Sequence, residues 1–242
     1  MARSFAIVHL PRKYDSPEVA THLATLATKL KAIRLEALKT DPDAFGSTYE
    51  REVAFTDEQW AERLTNPLAQ HVVALDLREP GNDMDGKSDL EMALAAPFVG
   101  TTVLIGPRAV SSSQVSDSQM SPSASPWAQF HDAPSVTTET LSPGTELQYA
   151  MNGVWVHPNG RRAGLGKQLI DGALEAGKRD MKRLSAPKRV NGFVVVFVEK
   201  DNEPATGLYE ACGFKNIGEE EYTSAGGKEG VVVALRQNIS LN

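Results

Sequence analysis

Residues 154–170, Val-Trp-Val-His-Pro-Asn-Gly-Arg-Arg-Ala-Gly-Leu-Gly-Lys-Gln-Leu-Ile, constrain this chain more than any other stretch. In them an apolar strand passes through a glycine-bearing turn directly into an amphipathic helix. Such a turn leaves the first N–H groups of the helix without partners and sets the positive end of the helix dipole beside them. The arrangement suits an anion, and glycines at 164 and 166 remove the Cβ atoms that would keep a phosphate away.

The rest of the chain supplies the frame. Residues 5–10 form a strand closed by Pro11, and Ser16 and Pro17 start a helix whose Leu23, Leu26, Leu30, Ile33 and Ala37 recur at helical spacing up to Lys39. After a loop around Pro42 and Gly46, Thr56 and Gln59 make a capping box, and Phe55 with Trp60 has the spacing of a hydrophobic staple. Strands are expected over 71–77 and 98–105, antiparallel, because the connection needs no helix. Residues 146–156 form a strand, the helix after Gly164 carries Leu165, Leu169, Ala173 and Ala176 on one stripe, and 192–198 is an apolar run of the kind buried on both faces. Strand, helix, strand over this length is a βαβ unit with a parallel crossover. A short helix after Asn202 ends at Gly213, and two strands around a 224–227 turn close the chain as a hairpin. The expectation is an α+β (mixed α/β) domain spanning 1–242, with about seven strands and about four helices.

Between about 106 and 145, Ser, Pro, Thr and Gln dominate. So few apolar residues cannot offset the entropy of ordering, so a surface insertion is expected, with Trp127 and Phe130 as the two side chains able to dock part of it.

Composition narrows the function. With 242 residues and 41% hydrophobic content the chain can bury a sizeable core, and its net charge of −6, with no long Lys/Arg run, argues against nucleic acid. A single cysteine, Cys212, excludes an intramolecular disulfide and suits a reducing compartment. No stretch reaches the roughly 18 apolar residues of a membrane span, so a cytoplasmic location with no membrane partner is expected. Scattered histidines with no Cys/His cluster give no metal site.

Two common phosphate motifs fail at the turn. A nucleotide P-loop needs glycine five places before Gly166-Lys167 and Ser or Thr after it, where the chain has Arg161 and Gln168. The dinucleotide fingerprint needs a third glycine where the chain has Leu169. What fits is Val156-x-Pro158-x-x-Arg161-x-x-Gly164-x-Gly166, which resembles the acyl-CoA-binding motif of the GNAT superfamily of N-acyltransferases. Downstream, Asn202-x-x-Ala205-x-x-Leu208-Tyr209-x-x-x-Gly213-Phe214 is similar to the second core motif of that family. The specific resemblance covers roughly 146–218, and the Ser/Pro-rich insertion departs from the compact family pattern.

The resemblance implies a GNAT-like fold in which the strands before and after the crossover splay apart to admit acetyl-CoA as acyl donor. Backbone N–H groups of Arg162, Ala163, Gly164, Leu165, Gly166 and Lys167 would hold the pyrophosphate, with Arg161 and Arg162 as charged neighbours. The pantetheine arm would add to the edge of Val154, Trp155 and Val156, with Asn202 and Ala205 beside it. Tyr209 would give the departing thiolate its proton; phenol and thiol have ordinary pKa values of about 10 and about 8.5, close enough for exchange. Glu146, near the start of the motif strand, is the candidate base, with ordered water as the alternative. Each role has a plainer competitor: Tyr209 packing beside Leu208, Glu146 as a solvated strand-end carboxylate, Asn202 as an N-cap, the arginines as solvated cations. Phe45, Tyr49, Glu50, Trp60 and Tyr222 are possible acceptor-lining residues.

The implied activity is transfer of an acetyl group to a primary amine, in a small molecule or peptide, by direct attack in a ternary complex. The protein would act as a monomer or homodimer. A non-catalytic acyl-CoA-binding or regulatory module of the same fold is the alternative.

Overall fold

A computed structural model describes residues 5–78, 85–111, 118, 120–124, 126–142, 145–185, 190–223 and 229–241. Seven strands form one mixed sheet in the order β1-β2-β3-β4-β5-β7-β6. They are β1 (Phe5–His9), β2 (Ala69–Asp76), β3 (Phe98–Ser111), β4 (Thr145–Val156), β5 (Asn191–Glu199), β6 (Lys215–Thr223) and β7 (Glu229–Ile239). The helices are α1 (Pro17–Ala20), α2 (Leu23–Thr40), α3 (Tyr49–Val53), α4 (Asp57–Thr65), α5 (Asp89–Ala95), α6 (Pro126–His131), α7 (Leu165–Ser185) and α8 (Glu203–Ala211). The chain divides into two compact units, residues 1–103 with 153–173, and residues 104–152 with 174–242.

In the first unit β1 and β2 pair antiparallel, Phe5↔Asp76 through His9↔Val72. The helical stripe of α2 is buried as its spacing predicts, at Leu26, Ala27, Leu30, Ile33, Ala37 and Leu38. It joins one core with Trp60 and Leu64 of α4, Val73 and Leu75 of β2 and Trp155 of β4. The capping box at Thr56 forms, and Phe55 lies with its ring centroid 6.0 Å from that of Trp60. Gly172 of α7 lies so close to β1 and β2 that a Cβ there would meet Val72 Cγ1 at 3.1 Å.

Three expectations are corrected in this unit. The first helix is two, α1 and α2, broken at Thr21 and His22. The connection between β2 and β3 holds α5, started by a second capping box, Ser88 with Glu91. Lys29 ends that helix: its ammonium donates to the carbonyls of Ala93, Leu94 and Ala96 at 2.6–2.8 Å, satisfying groups the helix leaves unpaired. Trp60 is 1% exposed and belongs to the core, so it lines no acceptor site.

In the second unit β4 and β5 run parallel, as the βαβ reading requires, and β6 and β7 form the antiparallel hairpin. The 224–227 turn assigned to that hairpin lies outside the described residues. β5 pairs with β7 from Gly192↔Ile239 to Glu199↔Val232. A Cβ on Gly192 would stand 2.8 Å from Met181 Sδ of α7 and 2.9 Å from the Leu147 carbonyl, so the residue type fixes how closely the helix lies on the strand. Asp180 of α7 is buried between Tyr149 Oη at 3.2 Å and Arg183 Nη2 at 2.8 Å.

The Ser/Pro-rich segment is docked rather than a free excursion. β3 continues past 105 to Ser111, and Phe130, Leu141 and Met120 are buried. Gln148 of β4, fully buried, donates to the Ser118 carbonyl at 2.6 Å and accepts from Arg108 Nε at 2.6 Å. Gln129 ties the segment to itself through Ser121 and Ala124, and Thr138 Oγ1 donates to the Leu184 carbonyl near the end of α7. The few apolar residues are joined here by polar groups with fixed partners, among them Gln129, Arg108 and Thr138. Trp127 stays half-exposed; Phe130 is the anchor.

Candidate active site

The glycine-bearing turn lies in the first unit. β4 ends at Val156, and the His157 N–H donates to the Val99 carbonyl at 2.8 Å, fixing where the turn begins. A 3-10 turn over Pro158–Gly160 follows, and Gly160 is buried where a Cβ would meet Leu165 Cδ1 at 3.1 Å and Val156 Cγ1 at 3.3 Å. Arg162 (φ 66°) and Gly164 (φ 75°) take left-handed conformations, which curl the chain into α7. Backbone of this kind turns successive N–H groups toward one side. Residues 161–164 are exposed, and the first N–H bond back into the helix is that of Gln168 to the Gly164 carbonyl, at 3.1 Å. The N–H groups of Leu165, Gly166 and Lys167 therefore fall in the turn that has no intrahelical acceptor.

The charged neighbours are otherwise engaged than expected. Arg161 folds back: its Nε donates to the Val156 carbonyl at 3.0 Å and its Nη2 to Asp41 Oδ2. Trp155 Nε1 donates to the same oxygen at 2.6 Å. Lys167 pairs with Asp171 at 3.0 Å, and Arg162 is exposed. Arg161 thus braces the end of β4 rather than reaching outward. Asp41 is the residue that sequence reasoning missed. Its signal is a carboxylate at the C-terminal end of α2, where the helix dipole disfavours negative charge and a cationic partner is called for.

In the second unit, the β4–β5 ladder runs from Glu146↔Asn191 to Ala150↔Val195 and ends there, although β4 continues to Val156 and β5 to Glu199. Glu146 lies at the closed end of that ladder. Its carboxylate is 3.3 Å from Arg236 Nη2, which also stacks on Phe193, so the geometry does not bring it to the place where the strands part. The candidate base is thus tied to Arg236, at the opposite end of the ladder from Ala150↔Val195.

Tyr209 is carried by α8. Asn202 caps this helix, its Oδ1 accepting from the Ala205 N–H at 3.2 Å, so its N-cap role is realised. At the other end, the Gly213 N–H (φ 94°) donates to the Glu210 carbonyl at 2.9 Å and the Phe214 N–H to that of Tyr209 at 3.1 Å. This pair of bonds is a Schellman motif, and its usual apolar contact is the Tyr209–Phe214 ring pair, 5.3 Å between centroids and 71° apart. The glycine-ended helix therefore fixes the phenol. Burial, with the neighbouring Cys212 adding to it, pushes the Tyr209 pKa well above the ordinary phenol value, so the group stays protonated.

Nearby in the same unit, Tyr222 lies across Gly230, where a Cβ would meet its Cε1 at 2.7 Å, and its hydroxyl donates to Glu199. Phe45 and Tyr49 of the first unit are half-buried under Arg34 and Lys39 respectively, and Glu50 is exposed.

Residues 128–214 match the model of the acetyltransferase (GNAT) family. No curated protein matches the chain by sequence. Among solved structures, the chain is similar to Arabidopsis thaliana NAA60 in complex with a bisubstrate analogue, at 15% identity over 97% of this chain and 100% of that one, TM-score 0.53. An acetyltransferase of the GNAT family from Streptococcus pneumoniae shares 13% identity over 98% of this chain and 99% of its own, TM-score 0.54. A GNAT superfamily phosphinothricin acetyltransferase from Sinorhizobium meliloti in complex with AcCoA shares 12% over 98% and 90%, TM-score 0.54. The fold is that of GNAT acetyltransferases, and residues 128–214 carry the sequence pattern of that family.

Proposed function

We propose that the protein is an N-acetyltransferase that moves an acetyl group from acetyl-CoA to a primary amine by direct attack in a ternary complex. The observation that carries this reading is the end of the β4–β5 ladder at Ala150↔Val195 while both strands run on. Beyond that point an extended ligand bearing amides would pair with β4 by strand addition. The exposed turn at 161–164 fits the other end of that ligand, since Gly164 has no Cβ and the helix N–H groups beyond it are unpaired by the helix. The solved structures with bound AcCoA and with a bisubstrate analogue lend the same fold to that ligand class.

The residues divide the work. Gly164, Leu165, Gly166 and Lys167 hold the pyrophosphate through backbone N–H groups. Val154, Trp155 and Val156 pair with the arm, and an N–H of this strand steadies the negative oxygen as the amine attacks. Tyr209, held at the end of α8 against Phe214, delivers its proton to the leaving sulfur, and its raised pKa makes this transfer depend on the ligand's placement. With Glu146 tied to Arg236, water takes the proton from the amine.

Thermal shift with acetyl-CoA, CoA, ATP and NAD tests the ligand. At 100 times its dissociation constant a true ligand adds about 2.7 kcal/mol of stability. Stabilisation by the two CoA ligands alone is expected, and stabilisation by ATP or NAD instead would replace the reading with a nucleotide-binding one. CoA release in the presence of amines then separates an enzyme from a binding module.

A further inference from the structure

Arg34 of α2 holds an arrangement that the proposed reaction has not used. Its Nε and Nη2 grip the Glu52 carboxylate at 2.8–3.3 Å, and the guanidinium carbon sits 4.5 Å over the centre of Phe45. Glu52 is 2% exposed and takes a second guanidinium, Arg63 Nη1, at 3.0 Å. Burial alone would raise the Glu52 pKa, but the Arg34 hydrogen bonds and charge, with Arg63 and Ser47, outweigh it and hold the carboxylate ionised. Two guanidiniums on one carboxylate leave net positive charge in a site where Arg34 is 17% exposed.

The remaining nitrogen, Arg34 Nη1, has no hydrogen-bond partner among the described residues. It is 3.8 Å from where a Cβ of Gly153 would stand, and among the described residues no other atom outside Gly153 and its chain neighbours lies within 4 Å of that point. Gly153 takes φ 63° in β4, one residue before the Val154–Val156 stretch assigned to the acyl donor. A fixed cation thus lies beside the strand at a residue that has no side chain of its own.

We propose that Arg34 is a specificity-determining residue that binds a carboxylate of the acceptor, which makes the preferred substrate an amine bearing a carboxylate. This rests on the transferase reading. Glu52 and Phe45 fix the plane of the guanidinium beforehand, so little rotamer entropy is lost when the carboxylate arrives. An amine without a carboxylate leaves the charge uncompensated and gains nothing from it. The carboxylate comes either from a free amino acid or from an acidic residue of a peptide, and both present the same group to Nη1.

The experiment compares matched acceptors: an amino acid with its amide, and a short peptide bearing an acidic residue with its neutral counterpart. Each is assayed by CoA release with wild type and with Arg34→Lys, which keeps a cation beside Glu52. In wild type, kcat/KM should favour the carboxylate member of one pair by roughly tenfold to a hundredfold, and that pair names the source. Arg34→Lys should lose that margin through KM while uncharged acceptors are unaffected. Equal turnover within both pairs by wild type overturns the proposal, as does an Arg34→Lys loss in kcat shared by every acceptor. Calorimetry of the same compounds on CoA-saturated protein runs without acyl transfer. If no amine is turned over, the transferase reading fails while tighter wild-type binding of the carboxylate member, lost in Arg34→Lys, still supports Arg34; equal binding overturns it.

Discussion

The indole N–H of Trp155 and the carboxylate of Asp41 meet at 2.6 Å, and Arg161 donates to the same oxygen. One carboxylate at the close of α2 therefore sets both the last residues of β4 and the first of the glycine turn.

Asp41→Ala leaves the buried indole N–H of Trp155 unpaired and releases Arg161. A loss of about 2 kcal/mol is expected, of which the half-exposed Arg161 pair supplies the smaller share. Acetyl-CoA affinity should fall with it, because the turn loses its brace. Chemical denaturation and a ligand titration on the same variant check both; full affinity with lowered stability would separate the brace from the binding turn.

Tyr209→Phe keeps the ring against Phe214 and the end of α8 intact, and removes only the hydroxyl. Turnover is expected to fall roughly a hundredfold or more, with acetyl-CoA affinity unchanged. Steady-state CoA release and a thermal shift are the readouts. Wild-type turnover in this variant would assign the proton to another donor.

Stability should depend on pH through His71. Burial, opposed by its contact with the Arg63 carbonyl at 2.9 Å and aided by the Arg63 charge, lowers its pKa to about 4. The unfolded imidazole takes a proton below about pH 6.5, whereas the folded one does not until about 4. Unfolding therefore binds a proton between these values. The stability present above pH 6.5 is lost as pH falls toward 4, by about 3 kcal/mol in total. Urea denaturation across this window should show the slope, and His71→Gln should flatten it.

Phe130→Ala tests the docking of the Ser/Pro-rich segment. Its ring is 1% exposed, packed near Gly106 and under Arg108, and removing it should cost about 3 kcal/mol or more. Limited proteolysis should then open the 118–142 region before the rest of the chain. A variant as stable and as resistant as wild type would return this segment to a passive surface role.

Local rules carried much of the fold. The stripe of α2, the Thr56 capping box, the parallel β4–β5 pair and Gly213 at the end of α8 are all set by spacing within a few residues, which periodicity and cap chemistry report directly. The misses are pairings across long sequence separations. Nothing near Asp41 announces Trp155 and Arg161, and nothing near Gln148 announces Ser118. The short helix α5 escaped for a different reason: it is started by Ser88 and Glu91 but finished by Lys29, far away in sequence. In the candidate site, the turn before α7 and the place of Tyr209 on a glycine-ended helix were legible as local structure. The direction of the Arg161 guanidinium and the tie between Glu146 and Arg236 were not, because side-chain partners are chosen by tertiary contact.

The engagement of Arg161 with Asp41, and of Lys167 with Asp171, has an ionic-strength consequence. Two of the three cations around the glycine turn are already balanced by carboxylates, so attraction for a phosphate falls mainly to oriented backbone dipoles at short range. Such dipoles act within hydrogen-bonding distance, where mobile ions screen poorly, whereas long-range steering by net charge decays over about 8–10 Å in physiological salt. Retention of an anion at this turn should therefore change little between dilute buffer and cellular salt, and selectivity should follow the shape of the turn more than the charge carried by its ligand.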